Sequence, residues 1–155
     1  MSYLLLKYIH IVSSTILFGT GLGTAFHGWM AHRRGGLAAV AAVNRNVVTA
    51  DWIFTTPAVL VQPVTGVMLA RIAGYSLADH WLALSLLLYG ATGACWLPVV
   101  WLQIRMRRMA DRALAETSPL PALYARYARL WFLLGWPAFA SVLAIFFLMT
   151  VKPSF

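Results

Sequence analysis

The chain has 155 residues, of which 61% are hydrophobic and only 10% charged, and it carries a formal net charge of +8. This composition leaves no room for a soluble domain, and because the basic residues flank apolar stretches, membrane topology rather than nucleic acid accounts for them. With four acidic residues in all and no serine, cysteine or paired-carboxylate array, hydrolytic chemistry is excluded too.

The first apolar stretch, Tyr3 to Trp29, is broken only by Lys7, His10 and His27. It is longer than a signal-peptide core and lacks a small-residue cleavage site before Ala31, so it reads as a retained helix. Gly19 and Gly23 form a Gly-x-x-x-Gly pair that would admit a close helix, and Gly35-Gly36 breaks the pattern. The second stretch, Ala50 to Ala70, opens at Asp51 and holds Gln62 inside. The third and fourth, Trp81 to Gln103 and Leu130 to Val151, contain no charged residue. About 20 apolar residues rising ~1.5 Å each cross a hydrocarbon core of about 30 Å. Beyond Gln103 a helical pattern runs to Leu114, and Thr117-Ser118-Pro119-Leu120-Pro121 ends it in a turn capped near Ser118. The expectation is an all-α integral membrane four-helix bundle forming a single domain, with spans at approximately 3–29, 50–72, 81–103 and 130–151.

Nine arginines, Arg33, Arg34, Arg45, Arg105, Arg107, Arg108, Arg112, Arg126 and Arg129, fall between spans one and two or three and four, against Lys7, Arg71 and Lys152 on the opposite side. The positive-inside rule then puts both termini outside and the arginine-rich loops in the cytoplasm of a bacterial inner membrane. Pro57, Pro63, Pro98 and Pro137 lie within spans, where neighbouring helices must satisfy the carbonyls they free. Cys95 falls mid-span and packs as a small apolar residue. Most tryptophans and tyrosines mark the interfaces, while Tyr89 and Trp96 lie deeper, in the core or against a cofactor.

The polar exceptions carry the chemistry. At ~100° per residue, Ser14, Gly21, Thr24 and Gly28 stay within about 40° of His10, so one face of span one is small and bears an imidazole. That face is either a packing seam or a wall for a flat cofactor with His10 as its ligand. His10 lies in the outer third with Lys7, Met68, Arg71, His80 and Met149. These residues fit haem b: His10 and His80 as axial metal ligands, Met68 or Met149 as fallback, and Lys7 and Arg71 as propionate partners. For His80 the plainer role is an interfacial helix start, with Asp79 as cap. His27, about 25 Å along the helix from His10, cannot share its metal; with Asp51 it would form an inner proton or quinone site. Asp51 alone reads as a helix cap. Thr55, Ala58, Gln62 and Thr65 continue its face, and this stripe should point into the bundle.

Leu6-Lys7-Tyr8-Ile9-His10-Ile11 followed by Phe18-Gly19-x-Gly21 resembles the opening helix of the membrane protoporphyrinogen oxidase family, which binds haem b through histidine, and that of the copper-resistance membrane proteins. The oxidase resemblance implies a haem-ligand role for His10. Over nearly its whole length the chain resembles a family of predicted four-helix bacterial integral membrane proteins, with Ala50-Asp51, Gln62-Pro63-x-x-Gly66, Cys95-Trp96-Leu97-Pro98 and Met149-x-x-Lys152-Pro153 as its pieces. That resemblance implies the fold and no activity.

The reading that follows is a haem b membrane protein for electron transfer or porphyrin and quinone redox chemistry. Its partners are the lipid bilayer, a quinone or a membrane redox protein, and not nucleic acid. The competing readings are a cofactor-free transporter or channel, for which four spans imply a homodimer, and a structural subunit of a membrane complex.

Overall fold

The structure, a computed structural model, describes residues 2–153. Five α-helices make four rods: α1 (Tyr3–Arg34), α2 (Leu37–Ala50) continuing through a π-helical turn (Asp51–Thr55) into α3 (Thr56–Ile72), α4 (His80–Ala115) and α5 (Ala122–Val151). All four rods are long and apolar enough to cross a membrane, and among the described residues there are no strands. At ~1.5 Å per residue the 32 residues of α1 reach about 48 Å, well beyond a hydrocarbon core. The excess length carries the arginines out of the membrane.

The helix ends follow the local sequence. Ser2 accepts the Leu5 amide and starts α1. Gly35 ends it and Gly36 starts α2, as the Gly-Gly break predicts. After α3, Gly74 takes the left-handed conformation (φ 78°) and the Tyr75 amide returns to the Ala70 carbonyl. After α4, Thr117 does the same (φ 50°), with the Ser118 amide on the Ala113 carbonyl. Both closures satisfy carbonyls that the last turn of a helix leaves free.

Three local expectations are corrected. The second rod begins at Leu37, so Asp51 opens no helix and caps nothing; it sits in mid-rod, at a π-turn where the Thr56 amide bonds the Asp51 carbonyl. The turn directly precedes Pro57, which lacks an amide and whose ring would press on the carbonyl four residues back; the widened turn relieves this. Asp79 stands at the start of α4, but its carboxylate accepts the Ser76 amide and leaves the helix uncapped by a side chain. A Cβ added at Gly19 or Gly23 would touch nothing, so this pair is not the packing seam. Close approach occurs instead at Gly28, where an added Cβ would lie 2.8 Å from the Trp131 ring, and at Gly66, 3.2 Å from the His10 ring.

α4 packs mainly on α5 and on α2, α1 mainly on α3 and α2, and α1 touches α5 sparsely. Two buried apolar cores close the ends of the bundle. Ala41, Leu102, Met106, Ala110, Tyr124 and Trp131 belong to the core at the arginine-rich end, and Ala70, Trp81, Leu82 and Leu148 form the other. Between them many large apolar side chains, such as Leu60, Leu87 and Phe147, face outward, as a lipid-facing surface requires.

Candidate functional site

Pro63 lacks an amide, so it cannot receive the Val59 carbonyl four residues earlier. The Tyr89 hydroxyl on α4 donates to that carbonyl at 2.6 Å. Tyr89 thus bolts α3 to α4 at the proline, and this is a reason for its depth that composition does not show.

On the α1 side of α3 lies a polar cluster. The Thr65 hydroxyl donates to the Val61 carbonyl at 2.8 Å, so toward His10 it acts as acceptor, and the His10 Nδ1–H donates to it at 2.8 Å. This leaves the lone pair on His10 Nε2, which the Gln62 amide nitrogen approaches at 3.4 Å. The Ser13 hydroxyl donates to Gln62 Oε1. Gly66 provides the space in which the imidazole lies. The stripe Asp51, Thr55, Ala58 and Thr65 is buried, with Gln62 half-buried, so it points into the bundle as its spacing predicts.

Toward the arginine-rich end, a cavity of about 430 Å³ opens between α1, the π-turn with α3, α4 and α5. Its walls are apolar and largely aromatic, with Phe18, Trp131, Trp136 and Phe139 prominent, and Gly21, Gly93 and Gly135 give it width. Its polar groups are few. Asp51 and Gln103 are each only 6% exposed, and Asp51 Oδ1 accepts the Thr55 hydroxyl at 2.8 Å. The Gln103 side chain approaches Asp51. Asp51 Oδ2, Gln103 Oε1 and the Trp96 indole nitrogen are buried and have no hydrogen-bond partner. The same three residues also line a neighbouring cavity of about 290 Å³ with Trp52 and Trp101. Three unpaired polar atoms at that depth are costly and call for an explanation.

The remaining residues singled out from the sequence lie as follows. His80 is exposed at the first turn of α4, and among the described residues no hydrogen bond joins it to His10. Lys7 and Arg71 are exposed at the same end of the bundle as His10, while Lys152 donates to the Tyr75 hydroxyl at 3.1 Å. Ser14 donates to the Ile11 carbonyl of its own helix. Gly21 lines the cavity. His27 is exposed, edge-on to Phe26, and no hydrogen bond links it to Asp51. Met68 is exposed, and Met149 packs on the core around Trp81 and Leu148. Among the described residues no three His, Cys, Asp or Glu side chains gather as a metal-binding group.

Sequence reasoning passed over Ser13, Gln103 and the placement of Trp96 and Asp51 on the same cavity. Trp96 and Gln103 are seven residues apart, on one face of α4, and that spacing was the available signal. It also missed His32, which reaches the Gly28 carbonyl at 2.6 Å and stacks on Tyr124, whose hydroxyl accepts from Asn44 at 2.8 Å.

No curated protein and no solved structure matches the chain. A family of predicted integral membrane proteins, DUF2269, matches residues 4–153. A four-rod, all-helical bundle matched over nearly its full length identifies the chain as a member of that family of integral membrane proteins.

Proposed function

We propose that this protein is a redox protein of the bacterial cytoplasmic membrane that holds haem b through His10 and exchanges electrons with a lipid-soluble quinone. The supporting observation is the His10 imidazole itself, placed inside a span with Nδ1–H on Thr65 and the Nε2 lone pair directed at no stronger partner than a 3.4 Å amide. Ligating histidines have this form: one nitrogen oriented by an acceptor, the other presented to the metal. Gln62 would yield its place to the iron. Lys7 and Arg71 stand at the same end for the propionates, and His80 supplies a second imidazole there. The first-helix resemblance to the membrane protoporphyrinogen oxidases supports the same ligand. The carboxyl of Asp51 and the imidazole of His27 serve protons toward the arginine-rich end.

The test is the visible spectrum of the protein purified from haem-replete cells, before and after dithionite. A Soret band with a sharpened α band on reduction is expected. His10→Ala should lose it while the bundle still elutes as the wild type, and Thr65→Val should lower haem affinity about 10- to 100-fold by releasing Nδ1. A spectrum without a Soret band overturns the reading.

A second reading has its own support in the polar line from Asp51 and Thr55 to Gln62, Ser13, Thr65 and His10 along the interior of the second rod. A cofactor-free transporter would use that line as its path. It predicts solute flux in proteoliposomes that Asp51→Asn alters.

A further inference from the structure

We infer that Asp51, Trp96 and Gln103 hold the headgroup of an isoprenoid quinone or quinol, which enters sideways from the lipid between α1 and α5. The inference takes its ligand class from the redox reading above; the site geometry stands apart from haem.

Three observations converge. The first is the polar trio: an indole N–H that donates, a carboxylate oxygen and an amide oxygen that accept, all buried and all unpaired. A quinone carbonyl accepts a hydrogen bond from the Trp96 N–H, and the hydroxyls of the reduced form donate hydrogen bonds to Asp51 Oδ2 and Gln103 Oε1. A hydrocarbon or acyl tail would leave every one of these atoms unpaired, at the cost that makes such atoms rare.

The second is the shape of the cavity, about 430 Å³ with walls almost wholly apolar and aromatic. This is within the size range of small-molecule sites, and flat ring faces suit a flat ring.

The third is the way in. Two of the contacts between α1 and α5 flank the opening. Phe18 stacks on Phe139 at 4.6 Å between ring centroids, and Trp131 lies on Gly28. Between these contacts the cavity is lined by Leu22 and Phe26 of α1 and by Phe132 and Trp136 of α5, all exposed on the outside of the bundle, Trp136 at 63%. The opening therefore faces the lipid, where an isoprenoid tail lies, while the polar trio sits deeper on α4 and the π-turn. The widened turn before Pro57 stacks Asp51 and Thr55 on one side, so that Thr55 holds Oδ1 and leaves Oδ2 free.

The experiment is a titration of the purified, detergent-solubilised full chain with decylubiquinone. Bound quinone is extracted after rapid desalting and measured by absorbance, and decylbenzene serves as a competitor with the same tail and no carbonyls. Saturable binding of one equivalent is expected, with Asp51→Asn, Trp96→Phe and Gln103→Leu each raising Kd about tenfold. Gly135→Leu places a side chain in the cavity where an added Cβ meets nothing; it should abolish binding with the polar trio intact and the thermal melt unchanged. Absence of saturable binding overturns the proposal, as does equal displacement by decylbenzene or an unchanged Kd in Gly135→Leu and Trp96→Phe. The haem spectrum of the same sample separates the two ideas: quinone binding without a Soret band leaves this site standing, and a Soret band without quinone binding removes it.

Discussion

At the scale of single residues, the bundle solves its polar problems in pairs across helices. Pro63 frees a carbonyl and Tyr89 from another rod takes it. Replacing Tyr89 by Phe leaves the Val59 carbonyl buried without a partner, which costs about 1–2 kcal/mol even where membrane hydrogen bonds are weak. A lower thermal melting point for Tyr89→Phe in detergent, with an unchanged helical signal, is the expected result. The same logic applies to one nitrogen of His10, Nδ1, which Thr65 meets at 2.8 Å, while Nε2 has only the Gln62 amide at 3.4 Å. The trio of Asp51, Trp96 and Gln103 breaks the rule, because each keeps an atom unpaired. That contrast within one bundle is why the trio reads as a site and Tyr89 as a fastening.

At the scale of elements, contact between rods depends on where small residues meet large ones. α1 is glycine-rich, yet only Gly28 is pressed, by the Trp131 ring of α5. A valine there forces the indole away and parts α1 from α5, an overpacking cost of about 1–3 kcal/mol. Gly23→Val, whose added Cβ meets nothing, should leave the melt unchanged. Comparing the two variants by thermal unfolding in detergent checks the assignment of the seam. The second rod adds a different element-level device: α2 and α3 are one continuous helix with a π-turn at the join, so the amphipathic α2, outside the expected span, is rigidly coupled to the residues around Asp51.

At the scale of the molecule, four rods place both chain ends at one side of the membrane and the arginine-bearing connections at the other. In a Cys95→Ala background, a membrane-impermeant maleimide applied to intact spheroplasts should label Ser76→Cys, while Glu116→Cys should react only after the membrane is opened. The reverse pattern would invert the topology. The sequence by itself determined the number of spans and the charge asymmetry, because bilayer thickness and backbone hydrogen bonding leave an apolar chain few choices. It also placed the Asp51-to-Thr65 stripe inward, since a polar face in hydrocarbon has nowhere else to go. Only the tertiary structure decided which rods touch, that Gly28 and Gly66 rather than Gly19 and Gly23 are the close approaches, and that Asp51 faces Trp96 and Gln103 while His27 points outward. Apart from that stripe the helix faces are mostly apolar all round, so hydrophobic periodicity, the signal that tells inside from outside in a water-soluble protein, carries little information about neighbours here.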